Sequence, residues 1–374
     1  MRVRKSDGTD LSQSLEREGR IKMTSRRSRM LVVVSLYLLS CPFLFGLHGA
    51  YAASASSQKP IVMKMAHYQP EQRVLMTGAK WWASELQKRS GGRIQIKHYF
   101  SEELARAKEI VPLVGQGGAE LGTPALTYHV SEFPLMQLLI DYPWKDLKAL
   151  FWFVPRLVEE VPALQAEWNK NNVKPLSYGG LPPYGVVCIK PVQKLEDLKR
   201  LRIRVWGSIV PQRFSKLGMV PVALPSSETY EAMAKGSVEC TLSPTDQHRI
   251  GLWEVAKYHL KGEFIQALYA AQPIMNLKLY NSLSPDLKKI IMDLQVDHLK
   301  MLRGLIAETE AADENFLRDK GVKFSNLSEA ENKRLQKEAL EVWEKASAKI
   351  KAQDDVKAVK AALTRMEAEY SKVR

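Results

Sequence analysis

Two arginines in a short alternating stretch are the side chains best suited to chemistry in this chain. Leu201, Ile203 and Val205 alternate with Arg202 and Arg204, the period of a strand with one apolar and one charged face. A guanidinium offers a flat fork of donors that matches two carboxylate oxygens, and it keeps its charge at any working pH. Taken alone, the pattern fits two solvated arginines at least as well. Trp206 lies two positions beyond Arg204, on the same face if the strand runs that far, and is equally a core residue. His67 and Gln69 close the first strand and Tyr128 follows the third. Ligands of open α/β sheets bind at such C-terminal strand ends, and a plain loop is the competing reading for each.

Motifs for catalysis are missing. The seven histidines are scattered, with no pair at ligand spacing on one helix. Neither a G-x-S-x-G elbow nor an H-E-x-x-H pair occurs. The glycines between Gly115 and Gly122 have the wrong spacing for a dinucleotide loop and follow a helix. No C-x-x-C occurs, so no metal and no cofactor is expected, and the chain does not read as an enzyme. An exported hydrolase with a dispersed constellation is the alternative. Cys188 and Cys240 could form a disulfide in an oxidising compartment, but bridging needs close Cα atoms that a sequence does not display.

The N-terminal segment reads as an export signal. Arg26, Arg27 and Arg29 precede an apolar run from Leu31 to Leu47, and Ala50-Tyr51-Ala52 supplies the small-x-small cleavage site. A signal peptide over 1–52 is therefore expected, with Met23 or Met30 as alternative starts. The run is short for a membrane span and contains Pro42. Cys41 sits in a lipoprotein-like context, a lesser alternative because the apolar run continues past it. Removing 1–52 leaves 46 basic and 37 acidic residues, a net charge of +9. No basic stripe interleaved with aromatics is visible, so nucleic acid is not an expected partner. The charge fits small anions or simple solubility.

The positioning elements alternate. A strand at 61–67, an amphipathic helix at 72–89, a strand at 93–99, a helix at about 102–115 and a short strand beyond Gly118 give β-α-β-α-β order. That order implies parallel pairing in an α/β sheet. A second α/β unit spans about 182–269. From Ser284-Pro285-Asp286 a helix of more than 30 residues runs to about Lys320, roughly 50 Å at 1.5 Å per residue. That is long enough to bridge two lobes. Ser328 to Glu331 forms a capping box for a further helix, and the charged tail is helical.

Several stretches then match one family in order. Lys190-Pro-Val-Gln-Lys-Leu-Glu-Asp-Leu-Lys-Arg-Leu-Arg-Ile-Arg-Val205 resembles the "KPV…DLKGLKIRV" segment of the substrate-binding subunits of TRAP (tripartite ATP-independent periplasmic) transporters, dicarboxylate-binding type. Ser227 to Glu239 resembles that family's "sEvYtALqtGvVDG", Trp253 to Tyr258 its "EVaKY", Arg89 to Ile96 its "rtgGrikie", and Ser101 to Ala105 its "sgeLg".

The resemblance implies an α/β, two-lobed periplasmic-binding-protein-like fold with a hinge and a long helix spanning both lobes. Lobe 1 is expected at 53–181 plus about 270–310, and lobe 2 at 182–269 plus about 311–374. It implies a periplasmic receptor, expected as a monomer with a dimer as the alternative, that hands a small organic acid to membrane permease subunits. A sensor of the same fold is a rival role. Arg204 takes the place of the family's carboxylate-pairing arginine. Two departures narrow the ligand. Tyr184 stands where sugar-acid receptors of the family carry a second arginine, and Ser243 stands where "QENP" has asparagine. A ligand with one carboxylate and an apolar or aromatic body is expected, with Arg204, Tyr184, Ser243, His67, Gln69, Tyr128 and Trp206 around it. Arg200 and Cys240 replace family glycines.

Overall fold

The computed structural model describes residues 59–144, 146–265 and 273–373. The expected signal peptide, its alternative starts and Cys41 lie outside the described residues, as do 266–269 of the expected second lobe. Strand β1 (Ile61–His67), helix α1 (Val74–Arg89), β2 (Ile94–Tyr99), α2 (Ile110–Gly115) and β3 (Leu121–Thr123) come first. Helices α3 (Pro134–Ile140), α4 (Leu147–Glu160) and α5 (Pro162–Lys170) lead to β4 (Val173–Pro175). The second run is β5 (Tyr184–Cys188), β6 (Arg202–Val205), α6 (Val210–Lys216), β7 (Val220–Ala223), α7 (Thr229–Ala234), β8 (Cys240–Ser243), α8 (Thr245–Arg249) and β9 (Tyr258–Ile265). Then come β10 (Ile274–Asn276), α9 (Leu277–Ser282), α10 (Pro285–Asp319), β11 (Lys323–Asn326), α11 (Glu329–Ser347) and α12 (Gln353–Val373).

Two sheets form, ordered β2-β1-β3-β10-β4 and β11-β9-β5-β8-β6-β7. The expected parallel pairing holds where strand, helix and strand alternate: β1 with β2 and β3, and β6 with β7 and β8. It fails elsewhere. β10 runs antiparallel to β3 and β4, and β5 runs antiparallel to β8 and β9. The reason is connectivity. The chain crosses from the first sheet to the second between β4 and β5 and returns between β9 and β10, so the crossing strands enter from the opposite end.

Local chemistry also shifts one boundary. The helix expected from about 102 begins only at 107, as a 3₁₀ turn that continues into α2. Ser101 and Glu102 have φ values of 53° and 64°, in the left-handed region that an α-helix excludes. Arg200, standing where the resemblance has glycine, has φ 67°. Its N–H donates to the Gly218 carbonyl at 2.7 Å. A side chain there costs about 1 kcal/mol that glycine would not.

The long helix α10 has 35 residues, about 50 Å, and its buried face changes partners along its length. Leu287, Ile291 and Leu294 pack with β1 and α1 residues such as Met63 and Trp82. One helical stretch later, Leu302 and Ile306 pack with Val186, Ile203 and Leu260 of the second sheet. The approach to α1 is close because Gly78 faces α10. A Cβ there would lie 2.4 Å from Leu302 Cδ2. The C-terminal segment divides as well. Leu335 of α11 packs with the second sheet, whereas Val342, Trp343 and Ala346 join Val356, Val359, Leu363 and Met366 of α12 against α3, α4 and α5. The Trp343 indole N–H donates to the Leu138 carbonyl at 2.8 Å.

Cys188 and Cys240 are joined in a disulfide that ties β5 to its neighbour β8 across 52 residues. Replacing both with alanine is expected to cost about 2–4 kcal/mol, read as a lower urea midpoint, because the unfolded chain regains the entropy of that loop. His298 gives a pH-dependent prediction. It is buried in α10, hydrogen-bonds Ser177 Oγ at 2.7 Å and stacks on Trp81. Burial lowers its pKa from 6.5 to about 3. The folded imidazole stays neutral while the unfolded one takes a proton, so stability is whole above pH 6.5 and is lost as pH falls toward 3. The rate is at most about 1.4 kcal/mol per pH unit. His298→Leu should show a smaller drop in melting temperature between pH 7 and pH 5 than the wild type. An equal drop would assign the acid sensitivity to other groups.

Candidate functional site

A narrow cleft opens where the parallel strands of the second sheet end. Arg204 and Trp206 come from the end of β6, Ser226 from the turn after β7, Gln247 from α8 after β8, and Tyr184 from the start of antiparallel β5. The first sheet contributes Thr127 and Tyr128, just beyond β3. Ile140 and Asp141, at the end of α3, and Ile265, at the end of β9, complete the lining. Strand ends supply these residues because a parallel strand delivers its last side chains to one rim, where backbone pairing stops.

Arg204 is the centre of the cleft's electrostatics. It is 2% exposed, while Arg202, on the same strand face, is exposed and pairs with Glu239. The Arg204 Nε–H donates to the Leu224 carbonyl at 2.9 Å, and Nη2 donates to the Tyr128 hydroxyl at 2.9 Å. Nη1 has no protein acceptor among the described residues. The Trp206 ring centroid lies 5.0 Å from the guanidinium carbon, a cation–π contact, and the Tyr184 ring lies 5.2 Å from that of Trp206. The Tyr128 hydroxyl also accepts from the Ser226 backbone N–H at 3.0 Å. Two donors, one charged, therefore converge on a single oxygen. Gly207, with φ 67°, makes the turn after Trp206 and lets it pass close to Thr127, whose carbonyl lies 3.8 Å from where a Cβ would stand.

Asp141 adds a carboxyl group to the wall. Burial raises its pKa from 3.8 to about 7, although Arg213 opposes the rise. The reason is visible in the contacts: the Arg213 guanidinium donates to the Asp141 backbone carbonyl at 3.1 Å rather than to its carboxylate. Asp141 Oδ2 and Arg213 Nε are both buried without a hydrogen bond.

Four of the seven residues expected from the sequence, Arg204, Tyr184, Tyr128 and Trp206, share this cleft. The other three lie elsewhere. His67 is buried in a stack with His98 and Phe100 and hydrogen-bonds Thr123 at 2.9 Å and His98 at 2.8 Å. Burial, then His98, lowers its pKa to about 3. Gln69 is buried outside the lining, and its carbonyl accepts from Ser101 N–H. Ser243 is fully buried in β8 opposite Gly185, and its hydroxyl donates to the Pro244 carbonyl. Thr127, Ile140, Asp141, Ser226, Gln247 and Ile265 were not read from the sequence. Only Asp141, an acid closing the mostly apolar stretch from Leu135 to Ile140, carried a signal.

The two halves of the structure also meet at a buried ion pair beside the cleft. Arg73, which precedes α1, and Asp246 of α8 are 2.8 Å apart, and the Val74 N–H donates to the same Asp246 oxygen at 3.3 Å. A carboxylate from the second half therefore meets the positive end of α1.

Two α/β halves thus share one long helix and meet at an arginine-bearing cleft. Residues 65–349 match the profile of the bacterial extracellular solute-binding protein family 7, and the chain belongs to that family, the TRAP solute-binding subunits. It is 23% identical over 299 residues to a solute-binding protein of Roseobacter denitrificans, covering 78% of this chain and 89% of that one. Its fold is similar to that of a Bordetella pertussis extracytoplasmic solute receptor binding pyroglutamic acid. That match has a TM-score of 0.69 and 20% identity, and it covers 80% of this chain and 99% of the other. It is also similar to a TRAP periplasmic solute-binding protein from Desulfovibrio salexigens with bound orotic acid. There the TM-score is 0.71 and the identity 19%, with 81% and 99% covered. Proteins of this family bind small molecules outside the cytoplasm and serve membrane permease subunits. Among the described residues no helix is long and apolar enough to cross a membrane.

Removing Asp246 takes a buried carboxylate away from Arg73 and from the start of α1. Asp246→Ala is therefore expected to lower stability by about 3 kcal/mol, checked by chemical denaturation. A loss below about 1 kcal/mol would mean that Arg73 finds other acceptors.

Proposed function

We propose that this protein is the receptor of a TRAP-type transporter for a small organic acid, with Arg204 as the carboxylate anchor. The observation that carries this reading is the convergence of Arg204 Nη2 and Ser226 N–H on the Tyr128 hydroxyl oxygen. An oxygen held by a guanidinium and a backbone amide sits where one carboxylate oxygen would be stabilised. In a closed cleft such charge-assisted bonds are stronger than at a surface. The Tyr184 and Trp206 rings, with Ile140 and Ile265, offer apolar surface to the rest of the molecule. This favours a ligand with one carboxylate on an apolar or aromatic body. Pyroglutamate and orotate, the ligands of the two solved relatives, each carry a single carboxylate on a ring.

The same reading covers the rest of the chain. The leader over 1–52 takes the protein to the periplasm. Closure of the two lobes traps the acid through the higher affinity of the closed state, and the closed complex is presented to the permease subunits. No covalent step is involved.

The test is thermal unfolding of residues 53–374 against a panel of organic acids, because a ligand that binds only the folded state raises the melting temperature. A specific rise is expected for compact monocarboxylates. Arg204→Ala should weaken binding by about 2–4 kcal/mol, a hundredfold or more at the upper end, because a buried charge loses its partner. Equal shifts in wild type and variant would remove Arg204 from the site. A panel that shifts neither well-folded protein would overturn the carboxylate-receptor reading.

A further inference from the structure

Asp141 is difficult to explain as a structural residue. It ends α3, is 2% exposed, and lines the same cleft as Arg204. A buried carboxyl group ordinarily accepts two or more hydrogen bonds, and an unsatisfied oxygen carries its full desolvation cost. Here Oδ2 has no hydrogen bond. The Arg213 guanidinium, close enough to oppose the effect of burial, is turned to the backbone carbonyl of Asp141 instead. Apart from Gln137, the residues of α3 from Leu135 to Ile140 are apolar and buried, so an apolar residue at 141 would suit the packing better. The other acid buried near this helix, Glu167, contrasts with it. Both of its oxygens are satisfied, by Leu135 N–H at 2.6 Å and Met136 N–H at 3.0 Å, and it does not line the cleft.

We propose that Asp141 is the second recognition group of this cleft, accepting a hydrogen bond from an N–H or O–H on the body of the acid whose carboxylate meets Arg204. This rests on the receptor reading above and narrows its ligand class. The ligand is a compact carboxylate that carries a donor, as a lactam acid, a heteroaromatic N–H acid or a hydroxy acid does. Recognition is then polar at both ends, with the Tyr184 and Trp206 rings against the body between them. A site built to satisfy a donor rejects an isostere lacking it, because the acceptor is then left buried and unpaired. Asp141 acts as a specificity residue rather than as a further source of general affinity.

The test uses matched acids and isothermal titration of the mature protein. The pairs are pyroglutamate against its ring-oxygen lactone analogue, pyrrole carboxylate against furan carboxylate, and lactate against propionate. Wild type is expected to prefer the donor-bearing member of the pair it binds by about tenfold or more. Asp141→Asn, which keeps the shape but replaces one acceptor oxygen with a donor, should bring that ratio within about threefold while the donor-free acid binds nearly as before. The wild-type ratio needs no variant and stands even if Asp141→Asn folds poorly. A wild-type ratio near one overturns the proposal, as does a ratio that Asp141→Asn leaves unchanged. In either case the receptor reading survives if an acid binds and Arg204→Ala abolishes its binding. If no acid binds the wild type, the receptor reading fails and this proposal fails with it.

Discussion

The structure depends on the burial of a permanent charge. Arg204 cannot shed its proton, and removing a guanidinium from water is costly unless acceptors replace the lost hydration. The chain supplies them from three places: the Leu224 carbonyl after β7, the Tyr128 hydroxyl after β3, and the face of Trp206 on its own strand. None of these is a full negative charge. The Arg204 charge is thus held by neutral acceptors, which under the proposed function leaves it able to pair with an anion reversibly. A carboxylate supplied by the protein in that position would satisfy the arginine permanently and close the site to ligands.

Holding that cleft requires two sheets to keep a fixed relation while still admitting a ligand. The buried face of α10 serves both sheets in turn, Leu287 to Leu294 for the first and Leu302 to Ile306 for the second. Asp246 reaches from α8 to the start of α1. Tyr128 joins the halves through the cleft itself, since its hydroxyl is held by Arg204 and Ser226 of the opposite side. The first two contacts are packing and a desolvated ion pair. The third is the one that, under the proposed function, a ligand oxygen would replace.

The sequence displayed the periodic parts of this arrangement well. The alternation at 201–205 marked β6, the spacing of Leu287, Ile291 and Leu294 marked α10, and Ser328 with Glu331 marked the start of α11. Pairing direction was less visible, because antiparallel β5 and β10 owe their orientation to where the chain crosses between sheets and not to their own residues. The site was half legible. Arg204 and Tyr184 stood out through the resemblance, and Tyr128 and Trp206 through their position after strands. The same positional logic placed His67 and Gln69 in the cleft, but His67 turns to Thr123 and His98, and neither residue reaches the lining. Ser243 was assigned by alignment to a family motif, and β8 buries it opposite Gly185. Gln247 lies inside the short α8, where local patterns do not distinguish it from surface, whereas Asp141 is marked only as the acid that closes α3.

The disulfide between Cys188 and Cys240 bears on more than the resistance of the chain to unfolding. It locks β5, which begins with Tyr184, to β8, which leads directly into α8 with Asp246 and Gln247. One covalent link therefore sets the relative height of an aromatic wall and of the helix that carries a cleft residue and the carboxylate at the start of α1. Thiols stay reduced in the cytosol and pair in oxidising compartments. The relative height of the aromatic wall and of α8 therefore depends on the oxidation state of the surroundings, since reduction would leave β5 and β8 joined by backbone pairing alone.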